Sequence, residues 1–523
     1  MRTITRNADF EPIGTRLAFK SALFALLAVS CSGEDGTAAE DSAALGSATT
    51  TASTGPGDTS TNTSSATTNS GTTTNSSSGS NNGTTANTST GMASNGSSTG
   101  GSDTGSTGGT GGASTTSTET TTATATTGAA GGGSIEVEPL DCGPDGWVVE
   151  NHGPPSNRVN YIILADGYDA TTVDTDLEAH IDVVMDRRFN HESGEPYGRY
   201  RKFVNICVMK VVSETNGIGN GPTAFDGGNG GDRLAAVNSM KVNAYLDANL
   251  PETIEADWRA VVLNQDLWEN TGSTLMLWSG AHAEAPGAAL HEGGHGFHQL
   301  ADEYCASDVG EDCGPNTDGS GQAGEEHGEI NSTGNPEDTA GKWDRWLGVT
   351  QVGIRGGEAT GVQGTFQGSR YVDSAQYRPS SNSMMNSLFG LEPNTSFNGI
   401  SREQMIYSIW RHVVPIDATE PPSGAVTGTP VIKVFVIDPT VIDVDWSVDG
   451  VVVAPKGGTA FDVANAGLAS GTHTISATAY DNASEDLVKY RDAECPESVE
   501  SWYCHSTGWA NATQTVEWTV SIP

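Results

Sequence analysis

The segment His291-Glu292-Gly293-Gly294-His295 holds the side chains of this sequence best suited to chemistry. Two histidines four residues apart on a helix lie about 40° apart around its axis, so both imidazoles can reach one metal ion. Zinc accepts such nitrogen donors, and Glu292 stands beside the open coordination position, where it can take a proton from metal-bound water. The expected chemistry is hydrolysis by a zinc-activated water, with His291 and His295 as ligands and Glu292 as general base. A solvent-facing helix with incidental histidines is the bland alternative.

The flanking residues favour the first reading. Pro286 suits a first helical turn, Ala288, Ala289 and Leu290 form helix well, and Leu300 and Ala301 continue the apolar pattern. Glycine inside a helix costs roughly 1 kcal/mol relative to alanine, so Gly293 and Gly294 imply that something approaches the helix closely. Around it, 141–417 alternates strand-like and helix-like segments. Strands are expected at 158–165, 203–213, 259–264 and 273–279, and helices at 173–189 and 233–250. Ser401 and Gln404 make a capping box for a last helix running to His412. The short strand at 273–279 could line a cleft and pair with an extended peptide. From 419 the pattern changes to alternating apolar and polar residues with regular turns, which suggests an immunoglobulin-like β-sandwich. Pro421-Pro422-Ser423-Gly424 reads as the hinge between the two.

Composition sets the compartment. Arg2, Arg6, Arg16 and Lys20 precede a short apolar run at 22–29, which reads as an export signal over 1–30. The run ends in Leu26-Leu27-Ala28-Val29-Ser30-Cys31, similar to a bacterial lipoprotein processing site, with Cys31 as the lipidated residue and a membrane as its partner. Ala28 stands where leucine is commoner, so plain secretion is the alternative. The stretch 31–134 is rich in Ser, Thr and Gly, and from Thr51 to Gly133 it holds no Lys, Arg or aromatic residue. Such a chain cannot offset its conformational entropy by burial, so a disordered tether is expected, spanning about 50 Å. A net charge of −40 argues against nucleic acid as a partner. Apart from Cys31, six cysteines remain: Cys142, Cys207, Cys305, Cys313, Cys495 and Cys504. In an exported chain they suggest three disulfides, with proximity favouring Cys305–Cys313 and Cys495–Cys504 and leaving Cys142–Cys207.

Three blocks resemble the bacterial immunoglobulin-A-specific zinc metalloendopeptidases. They are Asn160-Tyr161-Ile162-Ile163-Leu164-Ala165-Asp166-Gly167-Tyr168, then His291 to Tyr304 with its Leu-Ala-Asp-Glu-Tyr tail, then Arg378-Pro379-Ser380 with Asn382-Ser383-Met384-Met385-Asn386, Phe397-Asn398 and Arg402-Glu403. The resemblance covers 158–415 and implies an α/β zincin-like catalytic domain, a twisted mixed sheet carrying the zinc helix, over 135–418. The sandwich then takes 419–523. Ala165 replaces a usual glycine, and His298 stands where the family carries the glycine that bends the chain. With a bend after Phe297, Asp302 could complete the zinc shell, with Glu303 and His298 as alternative ligands. His298 otherwise reads as a residue lining the cleft. Met385, or Met384, resembles the methionine turn beneath the zinc in related peptidases, and core packing is the plain reading of both. Tyr304 and Tyr371 could stabilise an oxyanion. Asp166 and Tyr168 read as turn residues, and His282 as structural.

The function expected is that of a secreted or surface-anchored zinc metalloendopeptidase with a protein or peptide substrate. An inactive adhesin of the same fold, or a zinc aminopeptidase or deacylase, are the rivals. The acidic loop at 305–343 also offers Asp308, Glu311 and Asp312 to a calcium ion.

Overall fold

A computed structural model describes residues 139–231, 234–305, 328–337, 339, 342–350, 361–386, 396–491 and 509–523. These belong to one compact unit, Glu119–Pro523. The export signal, the tether, Cys31, Cys313, Cys495, Cys504 and the acidic residues Asp308, Glu311 and Asp312 lie outside the described residues. Among those described, seventeen strands and four α-helices make a mostly β-sheet structure.

Strands β1 (Gly146–Glu150) and β2 (Val159–Asp166) precede helix α1 (Asp176–Asn190) and strand β3 (Val204–Met209). A small ladder, β4 (Gly228–Gly231) with β5 (Leu234–Ala236), leads to helix α2 (Ser239–Asn249), strands β6 (Trp258–Leu263) and β7 (Met276–Ser279), and helix α3 (Ala285–Gly296). The sheet order is β1-β3-β2-β6-β7, and all pairs are parallel except β1 with β3. β2 and β3 are buried along their whole length, as expected of strands covered on both faces. Tyr161, Ile163 and Ala165 face α1 and α3, while Ile162, Leu164 and Val261 face α2. Cys142–Cys207 forms a disulfide beside β1. Cys305 is also disulfide-bonded.

Two sequence expectations change here. The helix placed at 233–250 begins only at Ser239, because Asn238 caps it by accepting from the Lys241 amide and Leu234–Ala236 is drawn into a strand. β7 is an edge of the main sheet, yet it is not open to an added peptide strand. Leu277 exchanges both backbone hydrogen bonds with Thr271, and Asn270 Oδ1 accepts from the Ser279 amide. The preceding loop has taken the edge.

A hairpin of β8 (Phe366–Ser369) and β9 (Val372–Arg378) and helix α4 (Gly399–Trp410) complete the first part. The second part has two sheets. One holds β10 (Ile416–Glu420), β12 (Val431–Val436) and β15 (Ala460–Asp462); the other holds β11 (Gly424–Thr427), β13 (Ile442–Val448), β14 (Val451–Ala454), β16 (Gly471–Asp481) and β17 (Thr513–Ile522). Trp446 stacks on Phe461 across the gap at 5.4 Å and on Trp518 at 6.0 Å, giving the sandwich its core. Its first strand starts at Ile416, so Pro421–Gly424 is no hinge. Those residues carry the chain from one sheet to the other, and Trp518 Nε1 donates to the Pro421 carbonyl at 3.0 Å.

The two parts are tightly joined. Arg158 makes a bidentate pair with Asp417 at 2.7 Å, both side chains almost wholly buried. Asp481 accepts from Tyr200 Oη at 2.6 Å and Trp410 Nε1 at 2.9 Å. Buried Glu403 on α4 accepts from the amides of Lys489 and Tyr490 at 2.7 and 2.8 Å.

Candidate metal centre

Helix α3 carries His291, Glu292 and His295 and ends at Gly296. The chain then bends: Gln299 adopts φ 58°, and the Leu300 amide reaches back to the Gly294 carbonyl at 2.9 Å. That bend, which falls after Phe297, brings Asp302 under the two histidines. Asp302 Oδ1 lies 3.1 Å from His291 Nε2 and 3.0 Å from His295 Nε2, and the two Nε2 atoms are 3.2 Å apart.

Backbone carbonyls fix the tautomers. His291 Nδ1–H donates to the Met384 carbonyl at 2.8 Å, and His295 Nδ1–H donates to the Leu300 carbonyl at 2.7 Å. A neutral imidazole with its proton on Nδ1 presents a lone pair at Nε2. Two such lone pairs and a carboxylate oxygen therefore converge on one point, an arrangement of three acceptors that a cation satisfies. Ligand atoms around a tetrahedral zinc, each at about 2.0–2.1 Å, lie roughly 3.3 Å from one another. The observed separations fit that ion, and the three residues form the only cluster of three or more His, Cys, Asp or Glu side chains among the described residues whose geometry could hold one.

Without an ion at this point, the carboxylate instead draws protons onto the histidines. Burial pushes the Asp302 carboxyl up, but His295 and His291 outweigh it and hold the group far below the usual carboxylate range. Burial pushes His295 down, while the charge and hydrogen bond of Asp302, with Glu292 behind, lift it to about 9. His291 is raised against its own burial by Asp302. Burial raises Glu292, although both histidines pull the other way. A partly raised glutamate next to the ion site is suited to taking and returning a proton.

The glycines have distinct neighbours. A Cβ on Gly294 would run into Met385 Sδ; on Gly293 it would meet the Trp258 ring at 3.1 Å; on Gly296 it would meet Met276 Cγ at 2.6 Å. Gly272, beside β7, lies across the site, where a Cβ would fall 2.6 Å from both Glu292 Oε2 and His295 Cβ. Met385 thus packs against helix α3 at Gly294, and Met384 gives its carbonyl to His291.

The alternative ligands lie elsewhere. Glu303 is fully buried and turned from the cluster, accepting from Ser383 Oγ at 2.6 Å, Asn398 Nδ2 at 2.8 Å and Asn331 Nδ2 at 2.9 Å. Its amide donates to the Met385 carbonyl at 2.7 Å, tying the bend to the methionine segment. His298 is also fully buried, with Nε2 2.7 Å from Tyr197 Oη and its ring against Trp258. It lines no cleft. Past the helix end the chain has turned, so the ligand-face geometry of a straight helix no longer applies to it. Burial, then Arg188, hold His298 well below the ordinary histidine range.

The remaining named residues are placed as follows. Tyr304 stacks on His291 at 6.3 Å and its hydroxyl is 2.7 Å from that of Tyr371. Asp166 ends β2 and accepts from the Thr223 hydroxyl at 3.0 Å and the Phe225 and Gly227 amides at 3.1 and 2.9 Å, a structural anchor. Tyr168 Oη pairs with His180 at 2.8 Å. His282 Nδ1 accepts from the Glu284 amide at 3.1 Å just before α3. Sequence reasoning missed the Met384 and Leu300 carbonyls and Gly272. Only the glycine pair hinted at close neighbours.

No family model matches the chain, and no curated protein matches it. Among solved structures, it is similar to one described as "Structures of Clostridium thermocellum CbhA fibronectin(III)-like modules", at 16% identity over 21% of this chain and 95% of that one, with a TM-score of 0.12. A likeness at that score carries no argument about function.

Proposed function

We propose that this chain is an exported zinc metalloendopeptidase, of zincin-like construction and related to the immunoglobulin-A-specific metalloendopeptidases that its motifs resemble. The single observation carrying this reading is the convergence of His291 Nε2, His295 Nε2 and Asp302 Oδ1, with both imidazoles locked in the metal-binding tautomer by backbone carbonyls. Bound zinc would bring the pKa of its water to about 7 and polarise a substrate carbonyl. Within this reading, Glu292 accepts the water proton, keeps it while the carbonyl carbon becomes tetrahedral, and passes it to the leaving nitrogen. The Met384 and Leu300 carbonyls hold the two imidazoles in orientation through those steps. The Cys142–Cys207 disulfide supports export to an oxidising compartment, where lipid at Cys31 would hold the protein at a membrane.

Mass-spectrometric profiling of a peptide library with blocked amino termini tests the reading. Zinc-loaded protein should cut internal bonds, and Glu292→Gln should retain zinc yet lose at least about 100-fold in rate. Cleavage only of free amino termini would make it an aminopeptidase. Undiminished cleavage by Glu292→Gln, or none at any zinc level, would refute it.

A further inference from the structure

The two edges of the first sheet differ. At β7 the edge is taken by the loop through Thr271, whereas β1, at the far side, pairs only with β3 among the described residues. The Lys210 amide donates to the Asp145 carbonyl at 2.8 Å, in line with the register that sets Trp147 opposite Val208 and Val148 opposite Cys207. Positions that exchange hydrogen bonds alternate along an antiparallel ladder, so Asp145 and Trp147 bond to β3 while Val148 turns its N–H and C=O outward. Among the described residues no group outside the ladder bonds to either. Such an edge is a template for another strand, and native proteins usually blunt it.

Helix α1 runs beside this edge. Glu178, Asp182 and Asp186 recur along it at four-residue intervals and so share one side. A groove of about 310 Å³ lies between α1 and β1, with Trp147, Val149 and Met185 along its floor and Asp182 and Asp186 on its wall. The cations nearest the groove are already neutralised. Lys210 Nζ sits over the Trp147 ring and pairs with Asp174 at 2.9 Å and Glu178 at 2.6 Å, and Arg201 pairs with Glu150. Asp182 and Asp186 are exposed and have no ion pair among the described residues. Like charges at this spacing repel, so the wall costs α1 some stability while it lacks a cation. Carboxylates four residues apart stand about 6 Å apart along a helix axis, and same-side residues of an extended strand stand about 6.7 Å apart. The two spacings match.

We propose that the open edge of β1 and the wall made by Asp182 and Asp186 form a docking surface for an extended segment of another protein carrying lysine or arginine at alternate positions. The segment adds to β1 as a further strand, bonded through the Val148 N–H and C=O. Its cationic heads reach Asp182 and Asp186, and their aliphatic stems cover Trp147, Val149 and Met185. Main-chain bonds supply affinity, and the spacing of the two carboxylates selects the alternation. The surface lies at the opposite edge of the sheet from β7, so its occupancy is independent of the metal chemistry.

The test uses the full chain with Glu292→Gln, so that probes stay uncut, and three end-blocked hexapeptides of one composition in valine, threonine and lysine. The first has its two lysines separated by one residue, and the second has them adjacent. The third is the first sequence N-methylated where its amides would face β1. At about 0.1 M salt the first should bind at least about tenfold more tightly than either of the others. Asp182→Asn with Asp186→Asn should weaken it by about tenfold, as two partly screened pairs are lost. Asp247→Asn with Glu252→Asn, exposed acids by α2 on the other face of the sheet, should leave it unchanged. Bound peptide should also slow hydrogen exchange at the Val148 amide. Equal affinity for the N-methylated peptide, or an equal loss in the Asp247 and Glu252 variant, would reduce the binding to general charge attraction and overturn the proposal. Full affinity in the Asp182 and Asp186 variant, or no binding of the first peptide, would overturn it as well. A wild type that cuts no peptide, in a chain that still binds the first probe at Val148, would remove the peptidase reading and leave this surface standing.

Discussion

Met385 lies so close to Gly294 that no β-carbon fits between them. The same segment gives its Met384 carbonyl to His291 and its Met385 carbonyl to the Glu303 amide. Alanine at 294 gains about 1 kcal/mol of helix propensity but must push Met385 aside, and overpacking of this kind costs roughly 1–3 kcal/mol. Gly294→Ala should therefore lower the melting temperature and weaken zinc binding. A stabilised variant with wild-type zinc affinity would show that the contact is slack.

Ligand identity separates cleanly by substitution. Asp302→Ala should lose at least about 100-fold in zinc affinity, beyond the range of an outer partner. His298→Ala should keep near-wild-type zinc affinity and lose stability instead, since it empties a packed site beside Trp258. Zinc loss in His298→Ala comparable to that in Asp302→Ala would reinstate the histidine as a ligand.

Glu303 predicts a third behaviour. Its carboxylate ties together Ser383, Asn331 and Asn398, which come from three separate segments around the bend. Glu303→Ala leaves those donors unsatisfied, so stability should fall by about 3 kcal/mol or more, with zinc affinity falling 10- to 100-fold or so. Denaturant unfolding with and without zinc would read both terms.

Zinc binding should be proton-linked. In the metal-free protein His295 keeps its proton up to about 9. The raised value means that below this pH a proton must leave before the nitrogen can bind the ion, so affinity falls as the solution is acidified. At neutral pH, uptake of zinc should release protons, countable by calorimetry in buffers of different ionisation heat. Binding without proton release would contradict the cluster as described.

The Cys142–Cys207 bond closes a separation of 65 residues, for which chain entropy gives roughly 4 kcal/mol. Cys142→Ala with Cys207→Ala should lose up to that amount of stability and leave zinc content unchanged. The bond lies beside β1, on the side of the sheet away from β7.

Much of the site was legible because its information is periodic. His291 and His295 follow from helical spacing, and the glycines signalled close packing before any neighbour was known. Asp302 required the bend as well, and the sequence placed it after Phe297 despite His298 standing where a glycine is usual. Gln299 supplies the positive φ in its stead. What escaped were backbone groups: the Met384 and Leu300 carbonyls would be there with any side chain, so residue type does not announce them. Local composition also misled. Pro421-Pro422-Ser423-Gly424 looks like a linker by its residues, but its partner Trp518 lies ninety-seven positions away and no local pattern points to it. The open edge expected at β7 failed for a similar reason, since pairing with Thr271 is a tertiary fact.

The joint between the sandwich and the first part has a practical bearing. Asp481 and Asp417 neutralise cations from the other half, and Lys489 and Tyr490 amides cap a carboxylate that helix α4 buries. Severing the polypeptide after 418 would take Asp481 from Arg199 and two backbone amides from Glu403, leaving that buried carboxylate only Trp346 and Tyr407 as donors. The C-terminal region is thus a buttress rather than a passenger: heating should melt both halves in a single transition, and the first part alone should not be recoverable as a soluble fragment.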